Sequence, residues 1–238
     1  MSAATKPPRF YFSLRSPYSW LFYRDLLKQY PDVAEQLEWI PFWEPDELST
    51  RLLTEAGGDF AYADMSKAKH LYVLQDVRRL VAERGLAVSW PIDREPWWEV
   101  PHLAYLVARR AGQGRAFIEE AYRLRWEQGR DICDPATVAE LAATIGLDPA
   151  PLVAAPQDPS VRAEGVQALL SAYRDGVFGV PFLIDRFERY WGLDRLPVFV
   201  ADQAAKADRK PKGSMDSGEV AGVRLSAGSD AGHAGGCG

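Results

Sequence analysis

Cysteine is almost missing from this chain. Its 238 residues include two, Cys133 and Cys237, far apart and in no CxxC pair. That excludes a disulfide framework and a dithiol redox centre. Histidine is as scarce: His70, His102 and His233 do not cluster, and with no zinc-type spacing no metal is expected. No run approaches the roughly 18 apolar residues a membrane helix needs, and "MSAATKPPRF" has no apolar signal core. Positive charge is not in excess either. A net charge of −5 gives no reason to expect a nucleic-acid partner. The expectation is a soluble cytoplasmic protein that binds neither membrane nor nucleic acid.

Aromatic residues, by contrast, are plentiful. Eight Trp, ten Tyr and ten Phe exceed what an ordinary core of this size uses, which points to an apolar pocket or a dense core. "RFYFS" (9–13) reads as a short buried strand. Beyond Pro17, Trp20, Tyr23, Leu27 and Tyr30 recur at helical spacing, and "LEWIPFW" (37–43) is a second strand. From about 45 to 158 the pattern is helical, with four or five helices between clear start and stop signals. Ser66 and Asp134 are caps, Pro135 opens a first turn, and Gly85, Gly112, Gly129 and Gly146 terminate.

A helix over 158–176 leads to the strand "VPFLI", a hairpin arm "RFERYW" and a last helix "GLDRLPVFVADQAAK". The order β-α-β, helical block, α-β-β-α predicts an α/β thioredoxin-like fold with an inserted all-α subdomain. The expected domains are 1–44 with 159–205 as the discontinuous thioredoxin-like unit, and 45–158 as the insertion. The stretch 206–238, rich in Ala, Gly, Ser, Asp and Lys, cannot offset its ordering entropy and is expected to be a disordered tail.

Two loops meet at one end of such a sheet. The first is Arg15-Ser16-Pro17-Tyr18; the second is Gly179-Val180-Pro181. Pro181 is expected to be cis from its place in the topology, since only about 5–6% of X–Pro bonds are cis. The backbone of Val180 would then be open to pair with an extended peptide-like ligand. Ser16 followed by proline is a preferred helix start, and losing the cap costs about 1 kcal/mol. Cap and catalyst are compatible. A hydroxyl there lies beside unpaired N–H groups at the positive end of the helix dipole, where a thiolate would be stabilised. The chain has no cysteine at that place, so a thiolate must arrive on a ligand.

The segments "YFSLRSPYSWL" (11–21), "AKHLYVLQD" (68–76), "EQGRDICDP" (127–135) and "GVFGVPFLI…RYWGLDRL" (176–196) are specific. In that order they resemble the DsbA-like family of 2-hydroxychromene-2-carboxylate isomerases and kappa-class glutathione transferases, over about residues 9 to 205. The resemblance implies glutathione bound between two lobes, and a homodimer. It places Ser16 at the glutathione sulfur, Val180 before the cis Pro181 at the cysteinyl backbone, Asp194 with Arg195 at the γ-glutamyl end, and Lys69 at a carboxylate. Asp194 as a helix cap and Lys69 on a solvated face are the alternative readings. The chain departs from the family's pattern at Ser13-Leu14-Arg15, at the Arg186-Phe187 hairpin turn, at "WEPDELSTRLL" and at Trp97-Trp98. All four departures imply an altered acceptor pocket.

An isomerase that interrupts a double bond by thiolate addition needs an apolar slot and donors for a developing enolate. Ser16, Tyr18 and Arg15 are the expected donors; Trp43, Tyr62, Trp97 and Trp98 are the expected slot. The substrate would be small, apolar and conjugated, aromatic or polyene, free or carrier-bound, with glutathione assisting or dispensed with. A glutathione transferase shares the first step. A non-catalytic thioredoxin-like binding module predicts that Ser16→Ala changes stability alone.

Overall fold

The computed structural model describes residues 6–60 and 65–208. Four short strands, β1 (Arg9–Phe12), β2 (Glu38–Pro41), β3 (Phe182–Asp185) and β4 (Glu188–Trp191), form one sheet in the order β2-β1-β3-β4. β1 runs parallel to β2 and antiparallel to β3, and β3 pairs antiparallel with β4. Alternation on the central strand β1 loads both faces of the sheet. Phe10 and Phe12 point into the large core shared with the helices, while Tyr11 joins Ile40, Phe42, Phe182 and Ile184 on the other face. This is the α/β thioredoxin-like arrangement expected from the element order.

α1 (Pro17–Gln29) follows β1 and buries Trp20, Leu21, Phe22, Tyr23 and Leu26. A short α2 (Pro31–Gln36), which the periodicity did not show, leads into β2. Six helices then replace the expected four or five, among the described residues. They are α3 (Glu47–Glu55), α4 (Lys67–Glu83), α5 (Glu99–Arg110), α6 (Gly114–Tyr122), α7 (Pro135–Thr144) and α8 (Pro149–Ala154). The additional one is α3. It lies in "WEPDELSTRLL", one of the departures from the family's pattern, where the Asp46 carboxylate accepts the Ser49 N–H at 2.7 Å and starts the helix.

α6 runs into a π-helical turn, Arg123–Glu127, that carries Leu124, Arg125 and Trp126 inward. α9 (Pro159–Arg174) returns to the sheet, and α10 (Leu196–Asp208) closes the chain. The Asp-Pro starts act as read: Asp134, Asp148 and Asp158 each cap a helix that begins with proline. One continuous apolar core joins Phe10 and Trp20 to Leu103, Phe117 and Val138, so the inserted helices share the core of the sheet's helical face.

The expected tail lies outside the described residues from 209 onward, as do Tyr62, His233 and Cys237. Among the described residues no helix is long and apolar enough to cross a membrane. Nor does any group of three His, Cys, Asp or Glu side chains gather there to hold a metal ion.

Candidate active-site cleft

The loop between β1 and α1 is bonded from every side. Ser16 N–H donates to the Ser13 carbonyl at 3.1 Å, and the Tyr122 hydroxyl donates to the same oxygen at 3.1 Å. Ser13 N–H donates to Ser19 Oγ at 3.3 Å, and Arg15 N–H to Ser13 Oγ at 3.3 Å. Ser13 is thus the knot of the loop. Ser16 is the N-cap of α1, its Oγ accepting the Ser19 N–H at 3.2 Å. A serine hydroxyl has one donor of its own. With the cap bond held by an acceptor lone pair, the Ser16 O–H is left to donate into the cleft it lines.

Below the loop sits His102, fully buried on α5. Its Nδ1–H donates to the Trp98 carbonyl at 2.8 Å, one turn back, so Nε2 is an acceptor and takes the Leu14 N–H at 3.1 Å. Burial pushes its pKa from 6.5 down to about 3, against the Trp98 carbonyl that favours the charged form. His102 is therefore neutral. Its ring stacks on Trp43 with 5.2 Å between centroids. The sequence marks His102 only as a histidine without neighbours, because its partners are distant in the chain.

The second loop closes the other side. The Val180–Pro181 peptide is cis, as its place in the topology required. Gly192 N–H donates to the Pro181 carbonyl at 3.1 Å and so ties the end of β4 to that loop. Gly192 has φ of 105°, a conformation that side chains with a Cβ resist. It delivers Asp194 and Arg195, which form an exposed ion pair at 3.3 Å. Asp194 lines the cleft; Arg195 does not.

These loops, α1 and α4 enclose a cleft of about 1370 Å³. It brings together Arg15, Ser16, Tyr18, Trp43, Lys69, Val180, Pro181 and Asp194. Two of the expected donors are already engaged. Tyr18 Oη donates to Asp76 Oδ2 at 2.9 Å, and burial with that bond raises the phenol well above its usual range. Arg15 pairs with Glu44 at 2.9 Å and lies over the Trp98 ring at 5.2 Å.

The expected aromatic slot is only partly right. Trp43 lines the cleft; Trp97 and Trp98 do not. Trp98 is buried between the guanidinium groups of Arg15 and Arg125, and Trp97 turns its indole N–H to Asp46 at 3.0 Å. The helix they introduce, α5, faces the core and not the cleft mouth. Instead the mouth is lined by Phe178 and Trp191, edge to face at 4.9 Å, with Phe60 and Tyr72. Phe178 is 54% exposed and Trp191 38%, an unusual position for such side chains. Both flank segments whose sequence draws attention for its proline and acid alone.

The model of the DSBA-like thioredoxin domain matches residues 9–203. The chain belongs to this family. A curated relative of this DsbA-like domain, a 2-hydroxychromene-2-carboxylate isomerase of Sphingobium xenophagum, is 28% identical over 195 residues, covering 81% of this chain and 95% of the relative. The structure of a 2-hydroxychromene-2-carboxylate isomerase superposes with a TM-score of 0.65 at 19% identity, over 84% of this chain and 95% of that one. The cytosolic disulfide reductase DsbM from Pseudomonas aeruginosa, solved with GSH, gives 0.53 at 16% identity, over 83% and 98%. At those identities the structural likeness is one of fold. This DsbA-like domain departs from dithiol chemistry at the decisive place. Ser16 and Ser19 occupy the start of α1, and Cys133 is buried, its thiol pushed up to about 12 chiefly by burial.

Proposed function

We propose that this protein is an isomerase that shifts the geometry of a carbon–carbon double bond in an apolar conjugated substrate, with glutathione as the thiol. The observation that carries the reading is Ser16: a hydroxyl, not a thiol, stands at the N-terminus of α1 and lines an aromatic-rimmed cleft. Likeness to the Sphingobium isomerase supports the reaction class.

The cleft suits the tripeptide. Lys69 on one wall and Asp194 on another offer opposite charges to its two ends, and Val180 and Ser16 line the same cleft. When bound, glutathione would supply a thiolate that adds reversibly to a conjugated carbon, so that the former double bond can rotate. The protein's part is electrostatic. The Ser16 O–H donates to the developing negative charge, its oxygen fixed by the Ser19 N–H, and the α1 dipole adds to the stabilisation. Arg15, tethered to Glu44, contributes positive charge at the same loop. Phe178, Trp191 and Trp43 hold a flat substrate and keep water away.

The test is thermal unfolding of the wild type and of Ser16→Ala with and without millimolar glutathione, followed by assay of 2-hydroxychromene-2-carboxylate and conjugated polyenes. Ligand at 100 times its dissociation constant adds about 2.7 kcal/mol. Isomer without conjugate supports the reading. Conjugate as the end product makes the protein a glutathione transferase. No shift and no product leave a thioredoxin-like binding module.

A further inference from the structure

The cleft is larger than most single-ligand pockets. About 1370 Å³ exceeds the roughly 300–1,000 Å³ of most small-molecule pockets, and its lining runs far from Ser16. Beyond Pro17, the lining residues on α1 are Tyr18, Asp25 and Gln29; on α4 they are Lys69, Tyr72, Val73, Asp76 and Leu80, with Arg84 at its C-cap. Counting either of the adjacent Tyr72 and Val73, these fall at helical steps of three, four or seven, so each set is one stripe. Two bridges join the stripes, Tyr18 to Asp76 at 2.9 Å and Asp25 to Arg84 at 2.7 Å. The bridges rise in the same chain direction on both helices. α1 and α4 therefore run parallel, with both N-termini at the Ser16 end. Leu193, Leu196 and Pro197 at the start of α10 make a third wall. From Ser16 to Tyr30 at 1.5 Å per residue, the trough extends roughly 20 Å.

We infer that the trough along α1 takes a linear conjugated chain, one double bond at Ser16 and the remainder lying between Val73, Leu80 and Leu196. This rests on the isomerase reading and specifies its substrate class as elongated, not compact. Ser16 and Lys69 mark one end of the trough and Gln29 with the Asp25–Arg84 pair the other. Between them the polar groups Tyr18 and Asp76 are bonded to each other, and Val73, Leu80, Leu193, Leu196 and Pro197 supply apolar surface for a hydrocarbon chain.

The probes are cis-parinaric acid, a long fluorescent conjugated tetraene, and sorbic acid, a short conjugated diene, as competitor. Leu80→Trp and Val73→Trp each place an indole in the trough, and both sites are only partly buried, so the core is not overfilled. Circular dichroism and Tm check folding. The wild type should bind parinarate at least tenfold more tightly than sorbate, and both variants should cut that ratio tenfold or more. Equal affinity for the two acids, no binding of either, or a ratio unmoved in both folded variants overturns the inference. Isomer analysis with a 2,4,6,8-decatetraenoate ester and glutathione, in which the polyene is conjugated with the carbonyl that takes the electron pair, separates the two ideas. Length-dependent binding without isomerisation sinks the isomerase reading alone, and isomerisation without length dependence sinks the trough alone.

Discussion

His102 Nε2 takes the Leu14 amide proton at 3.1 Å, although one residue lies on α5 and the other in the loop before α1. The bond joins the inserted helices to the loop that carries Ser16. It works only with a neutral imidazole, because Nδ1–H is already given to the Trp98 carbonyl. Through its stacking on Trp43 the same ring also sets one wall of the cleft.

Stability should therefore fall in acid. The folded-state pKa of His102 is depressed to about 3, below its usual 6.5, so between those values the unfolded chain binds the extra proton. Its contribution is complete above pH 6.5 and is lost as pH falls toward 3, at up to about 1.4 kcal/mol per pH unit. Buried Glu99, whose pKa is raised mainly by burial, works in the opposite direction in both proteins. The difference between wild type and His102→Gln in denaturant melts isolates the histidine. Parallel pH curves for the two would disprove this account.

At Ser16 the cap and the proposed catalytic role separate by substitution. Ser16→Ala should cost about 1 kcal/mol of stability through the lost bond to Ser19, and should remove activity far beyond that. Ser16→Cys, made with Cys237→Ser, should carry a thiol with a pKa below the free value of about 8.5, read from thiolate absorbance against pH. Buried Cys133 will not titrate in that range. A Ser16→Cys thiol of ordinary pKa would show that the helix terminus supplies no electrostatic help.

The fold and the two loops that meet at the cleft were legible from caps and element order, while Lys69 and Asp194 were suggested by the family resemblance alone. Ser16-Pro17 caps and opens α1 within four residues, the Asp-Pro pairs do the same three times, and Pro181 follows from strand order. The aromatic half was not. Trp98 differs from Trp191 only in what the chain folds over it, since one is clasped by Arg15 and Arg125 while the other edges Phe178 at a sheet corner. His102 escaped for the same reason, and α3 because its cap, Asp46, is completed by Arg162 on α9. Arg186 takes φ of 58° at the hairpin turn where a glycine would be the easier choice.

Gly179 sets the position of the aromatic wall. A Cβ there would come within 2.9 Å of Trp191 Nε1, and the side that yields is the half-exposed indole. Gly179→Ala should swing Trp191 out of its edge-to-face contact with Phe178 and weaken parinarate binding several-fold. Its Tm should change little, since the displaced ring is not core. Unchanged binding would show that the Phe178–Trp191 pair does not grip the ligand.

The wall bearing Trp43 and Glu44 depends on a buried charge cluster. Arg162 Nη1 donates to Asp46 Oδ1 and Oδ2 at 2.9 Å each and to Ser49 Oγ at 2.7 Å, while Nη2 reaches the Pro156 carbonyl at 2.7 Å. Burial alone would raise the Asp46 pKa, but the Ser49 N–H, the Trp97 indole and Arg162 hold it below the usual carboxylate value. Glu99 accepts the Asp46 N–H at 2.7 Å from the adjoining helix. Arg162→Met removes the cation and leaves the partly buried Asp46 carboxylate without its counter-charge, which should cost about 1–3 kcal/mol. Adding Asp46→Asn removes the stranded charge and keeps an acceptor for the α3 cap, so the double variant should recover part of that loss in a urea melt. If the double variant is no more stable than Arg162→Met, packing of the arginine stem and not its charge holds α9 against α3.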